Sequence, residues 1–259
     1  MTDFLVKFQK LSTKKNSLLC VGLDPEIEKI PKNKSIFKFN KDIIEKTADL
    51  VACYKPNIAF YESFGIEGLR QLKKTLDHIK KYYPNVPIIL DAKRADIPNT
   101  AKHYAKSLFD YWGADAATVY PNLGYDSVEP FLNYKNKLTI LIIKTSNKDS
   151  KKTQDINIKG EPYYLKIAKE IKRWNKKNVG LFVGATYPKD MKNVRKIFPN
   201  NFFLSAGIGS QGANIKEIVM TGKGIGFPNI SFNASRSIIF ASNPRDEASK
   251  LKNLINSFL

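Results

Sequence analysis

Eight short, nearly continuous apolar runs recur along the chain, at 17–23, 52–60, 86–91, 116–120, 138–144, 179–184, 202–206 and 230–234. Few of them alternate apolar with polar residues, as a strand with one wet face would. Uninterrupted runs of this length suit strands buried on both faces. The segments between them carry the period of amphipathic helices. In 42–50, Ile43, Ile44, Thr47 and Leu50 fall on one face; in 66–82, Leu69, Leu72, Leu76 and Ile79 do, with lysines elsewhere. The stretches 99–111, 162–174, 191–198, 214–220 and 245–258 read the same way. Eight strand–helix units in about 250 residues are the size and order of a (β/α)8 TIM barrel, with its active site at the C-terminal ends of the strands. A doubly wound open sheet ranks second, because it uses fewer strands at this length. No linker or internal repeat divides the chain, so residues 1–259 are expected to form one barrel domain.

The barrel has to accommodate an unusual charge. Lys and Arg number 43 against 24 Asp and Glu, a formal net charge of +19. That excess is compatible with a nucleic acid, an anionic membrane or an anionic small substrate, and equally with a lysine-rich composition. It is spread along the chain and lacks a basic stripe with interleaved aromatics, so no specific nucleic-acid partner is expected. No apolar run approaches the ~18 residues of a membrane-spanning helix. Cys20 and Cys53 lie inside apolar runs without metal-type spacing, as buried free thiols of a reducing compartment would. The N-terminal MTDFLVKFQKL reads as a short amphipathic helix without a signal-peptide core. The cytoplasm is the expected location. The only histidines, His78 and His103, fall in lysine-rich helical stretches. No Ser-His-Asp arrangement, HExxH motif or Cys/His cluster is visible, and no metal site is expected.

Reactive groups in a barrel belong just past the strands. The third strand ends in Asp91-Ala92-Lys93-Arg94-Ala95-Asp96. Asp91 and Lys93 are two apart, so on a strand they share a face. Two buried charges there stabilise little as a structural pair. A lysine held among carboxylates stays protonated and can donate a proton to a carbanion. A Schiff base at Lys55 or Lys93 remains open. After the seventh strand, GIGSQG (207–212) fits a dinucleotide fingerprint, but it lies late in the chain and the acid expected about 20 residues on is missing. A Gly-rich turn before a helix, with Arg236 after the eighth strand, suits a monophosphate better. The polar 146–160 segment is long for a loop in a compact domain, as lids are.

YKPNIAFYE, DAKRADI, GIGSQG and NASR together resemble the orotidine 5′-phosphate decarboxylase family, in its longer bacterial type with KPN and D-x-K-R-x-D-I motifs. The resemblance runs from Leu23-Asp24-Pro25 to Ser235-Arg236. It implies decarboxylation of orotidine 5′-monophosphate to UMP without a cofactor. Lys55, Asp91, Lys93 and Asp96 would form an alternating charge tetrad, with Lys93 stabilising and protonating the carbanion at C6. Asp96, Ile97 and Thr100 would serve the neighbouring site of a homodimer. Asp24 would hold a ribose hydroxyl, Ser146 the pyrimidine, and Gln211 and Arg236 the phosphate. Asn57 and Gly209 would complete the substrate-binding set. The segment after Ser146 and the loop from Gly209 would close over the ligand. Ala92, Ala95 and Ala206 depart from the family's usual residues, and 221–229 has no assigned role. D-x-K-x-x-D alone is shared with magnesium-dependent sugar-phosphate decarboxylases and aldolases of the same barrel, for which Glu62 would be the additional carboxylate.

Overall fold

The computed structural model describes residues 1–208, 214–224 and 229–259. Each apolar run overlaps a strand, and all but the third contain it whole: β1 Leu19–Leu23, β2 Cys53–Pro56, β3 Ile89–Arg94, β4 Ala116–Val119, β5 Leu138–Lys144, β6 Val179–Val183, β7 Phe203–Ala206 and β8 Ile230–Ala234. All pair in parallel, in the order β2-β1-β8-β7-β6-β5-β4-β3. Bridges from Tyr54 to Ile88 and from Asn57 to Asp91 bring β2 to β3 and close the ring. Helices alternate with the strands, which makes the (β/α)8 barrel that the spacing of the runs predicts. The strands are buried along nearly their whole length because helices cover the outside and side chains fill the inside.

Three local features differ from the reading of the sequence. The 52–60 run is only partly strand: it breaks after Pro56, where the Asn57 side chain accepts the Ala59 N–H at 3.1 Å and a short helix, Ala59–Glu62, begins. Between β4 and β5 a helix, Tyr125–Leu132, forms despite Pro130 inside it. The 146–160 segment holds a helix, Ser150–Gln154, and the start of a small antiparallel pair, Asn157–Ile158 with Glu161–Pro162.

The two ends of the barrel are built differently. At the base, helix Asp3–Lys15, capped by Thr2, buries Phe4 and Phe8 edge-on against Phe202 at 4.9 and 5.0 Å. Arg195 seals the connections into β7 and β8. Its guanidinium donates to the carbonyls of Phe198, Asn201, Gly222 and Asn229 and stacks on Phe203 at 3.8 Å. It thereby holds both ends of the 221–229 stretch. Cys20 and Cys53 are buried, unpaired by a disulfide, and adjacent in register on β1 and β2. Among the described residues no helix is long and apolar enough to cross a membrane.

Candidate active site

The open end holds a cavity of about 450 Å³ at the C-terminal ends of the strands. Its polar centre is Asp91, which is 6% exposed. Asp91 Oδ2 accepts Lys55 Nζ at 3.0 Å, and both carboxylate oxygens accept Lys93 Nζ at 2.7 Å. Thr118 Oγ1 donates to Asp91 Oδ1 at 2.7 Å. Burial opposes the charge of Asp91, but Lys55, Lys93 and the Thr118 hydroxyl outweigh it and hold the carboxyl well below its ordinary range. Burial likewise opposes the charge of Lys55, and Asp24 and Asp91 outweigh it, so its ammonium is held above the ordinary lysine value. Asp24 Oδ1 lies 4.0 Å from Lys55 Nζ and accepts the Asn57 N–H at 3.1 Å. Asp91 and Lys55 are therefore held in their charged forms.

Asp91 and Lys93 meet, but not by simple alternation along a regular strand. The register of β3 on β4 shifts between Leu90 and Arg94. Lys93 has φ +45°, a left-handed conformation that costs an L-residue about 1 kcal/mol or more. The Thr118 hydroxyl stabilises this turn by accepting the Lys93 N–H at 3.0 Å while donating to Asp91. Thr118 went unread in the sequence, where a lone hydroxyl in an apolar run carries no distinguishing signal. Tyr120 and Phe182 also line the cavity and were likewise unread.

Asn57, Ser146 and Arg236 line the same cavity, Arg236 as the first residue of helix Arg236–Ile239. At Gly22 a Cβ would stand 2.8 Å from Ser235 Cβ, so a glycine is needed where β1 meets the turn before Arg236. Asp96, Ile97 and Thr100 do not line this cavity. Asp96 Oδ1 accepts the N–H of Ile97, at 2.8 Å, and Ile97 is 65% exposed at the head of helix Pro98–Lys106. Gly209 and Gln211 lie outside the described residues. Glu62 pairs with Arg94 Nη2 at 2.7 Å and does not line the cavity either.

A closed parallel barrel whose mouth carries a carboxylate clamped between two ammonium groups, with an arginine after the last strand, defines a barrel enzyme for an anionic substrate. The sequence profile of the orotidine 5′-phosphate decarboxylase / HUMPS family matches residues 17–251, and the chain belongs to that family. It is 44% identical to the orotidine 5′-phosphate decarboxylase of Christiangramia forsetii over 237 residues, which cover 88% of this chain and 86% of that one. It is 40% identical to that of Herpetosiphon aurantiacus, covering 99% of this chain and 96% of the relative. The solved structure of Leishmania donovani OMP decarboxylase superposes with a TM-score of 0.88 at 36% identity, covering 100% of this chain and 99% of that one. All three relatives carry the decarboxylase name, which favours that activity over a magnesium-dependent sugar-phosphate reaction.

Proposed function

We propose that this chain is a carboxy-lyase that converts orotidine 5′-monophosphate to UMP, the last step of de novo pyrimidine nucleotide synthesis. The observation that carries the reading is the Lys55–Asp91–Lys93 array at the mouth of a barrel of this family. Breaking the bond from C6 to the carboxylate leaves an electron pair in the plane of the pyrimidine ring, where delocalisation is poor. The Lys93 ammonium, fixed beside C6, stabilises that charge as it develops and then transfers its proton to C6. Carbon dioxide leaves, and water returns a proton to Lys93. Asp91 aims Lys93 by accepting its ammonium on both oxygens, and Lys55, Lys93 and Thr118 keep Asp91 ionised. Asp24 and Asn57 hold the ribose, Ser146 the pyrimidine, and Arg236 with Gln211 and Gly209 the phosphate. Binding energy from the phosphate, remote from C6, drives closure over the substrate. This route needs no metal or organic cofactor.

The place of Asp96 outside its own cavity, beside the exposed Ile97, supports a homodimer of 1–259 barrels with shared sites. In it Asp96, Ile97 and Thr100 of each chain reach the neighbouring cavity. The reading places the enzyme in the cytoplasm, with a small anionic substrate and neither membrane nor specific nucleic acid as partner. The test is the ultraviolet absorbance change of orotidine 5′-monophosphate with purified protein, with and without EDTA. Rapid conversion to UMP that EDTA leaves unchanged is expected; no conversion by folded protein would overturn the reading. For the shared site, Lys93→Ala and Asp96→Ala proteins are each expected to be nearly inactive. Mixing them should restore activity, because one of the two sites in a hybrid dimer is wild type. No recovery after confirmed subunit exchange would refute it.

A further inference from the structure

Strand β5 ends in Lys144, whose side chain is fully buried. A buried ammonium needs a counter-charge. Asp155, just past helix Ser150–Gln154, provides it by accepting Lys144 Nζ. The ammonium also lies over the rings of Tyr187 and Tyr164, at 5.0 and 5.5 Å from their centres. A second link runs beside the first: Gln154 Oε1 accepts the Thr145 N–H, and Gln154 Nε2 donates to Thr145 Oγ1, both at 3.0 Å. Both ends of the 145–155 loop are thereby tied together. Between them sit Ser146 and Asn147, which face the cavity. Behind the loop, Gly184 lets the backbone pack directly, since a Cβ there would stand 2.8 Å from the Ser146 nitrogen.

We infer that Lys144 and Asp155 are positioning residues for the decarboxylation: their ion pair clasps the 145–155 loop and so sets Ser146 at the pyrimidine end of the cavity. Neither residue lines the cavity, so each acts through Ser146. Stability alone is a poor reason for the pair, because apolar side chains of similar size in place of a buried ion pair are often as stabilising or more so. A clasp, by contrast, requires one residue to meet one partner, which an ion pair specifies and an apolar contact does not. The inference rests on the proposed function, in which Ser146 meets the pyrimidine.

The experiment measures binding of UMP and of ribose 5-phosphate by titration calorimetry, in the wild type, Asp155→Asn, Asp155→Glu, Ser146→Ala and the Asp155→Asn/Ser146→Ala double variant. Asp155→Asn is expected to weaken UMP by up to about tenfold, the loss of one neutral hydrogen bond from Ser146, while ribose 5-phosphate stays within about twofold. Asp155→Glu should recover most of the loss. The double variant should bind UMP no worse than the weaker single one, because both changes remove the same contact. Equal weakening of both ligands, unchanged UMP binding or additive losses would each overturn the inference. If Asp155→Asn does not fold, Gln154→Ala cuts the neighbouring link and the same two ligands decide. Failure of the wild type to bind UMP would instead overturn the proposed function, and this inference with it.

Discussion

The mouth and the base of this barrel both bury cations, and they treat them in opposite ways. At the mouth, Lys55 is surrounded by carboxylates and its ammonium is held above the ordinary value. At the base, among the described residues, Arg195 meets only backbone carbonyls and a phenyl ring, and burial pulls its guanidinium down to about 10. The base uses its cation to satisfy carbonyls that would otherwise be buried unpaired. The mouth concentrates charge beyond what packing requires, and adds a backbone strained at Lys93. Strain and buried charge at one end of a fold, offset by saturated packing at the other, are what a preorganised reaction site needs. Substitutions should therefore separate cleanly, costing activity at the mouth and stability at the base.

The largest expected effect is at Lys93. Lys93→Gly removes both the stabilising charge and the proton donor, and should lower kcat/KM by roughly 10⁴ or more. The same change relieves the left-handed strain, so thermal unfolding should fall little if at all. A large loss of melting temperature would show that Lys93 is there for stability. Next is Arg195→Met, which leaves the carbonyls of Gly222 and Asn201 without their donor. It should destabilise by about 3 kcal/mol, or roughly 6–12 °C in Tm, while kcat below the transition stays within about twofold. A matching collapse of kcat would mean that the two ends are coupled.

This contrast also explains what could be read from the chain alone. Eight buried strands give continuous apolar runs, and charges that interrupt such runs at their ends stand out; Asp91 and Lys93 were legible for that reason, while Asp24 and Lys55 took their roles from the resemblance. Thr118 was not legible. Thr139 on the next strand is equally buried, yet its hydroxyl has no partner among the described residues, and nothing in the sequence separates the two. Arg195 was hidden among the lysines of its helix, because its burial depends on where distant carbonyls arrive. Asp96 does not line its own chain's cavity, so only the resemblance gave it a role. The helix at 125–132 was obscured by Pro130, the sixth of its eight residues, whose missing N–H removes one internal bond of a kind that ordinarily argues against a helix.

A smaller effect is expected at Thr118, which links the strained backbone to the carboxylate. Thr118→Val keeps the shape but deletes the bond to Asp91 and leaves the Lys93 N–H without its acceptor. One bond to a charged group corresponds to about 1.5–3 kcal/mol, so kcat should fall roughly ten- to a hundredfold with KM changed less. Unaltered kcat would show that Lys55 and Lys93 position Asp91 without help.

The smallest expected effect is one of pH, and it tests whether the mouth's charges are as firmly fixed as their surroundings imply. The carboxyl of Asp91 is depressed in the fold, so its contribution to stability is present above the unfolded value near 3.9 and is lost as pH falls through the folded one. Lys55 is raised, so its contribution is complete below the unfolded value near 10.4 and is lost as pH rises through the folded one. Neither group changes charge between about pH 5 and 9. In that window, kcat at saturating substrate should show no step from either residue; kcat/KM is less clean, because a substrate phosphate titrates near 6. A step in kcat inside the window that shifts in Thr118→Val would assign it to Asp91. The carboxylate would then be less tightly held than its two lysines imply, and the mouth would differ from the base in charge but not in rigidity.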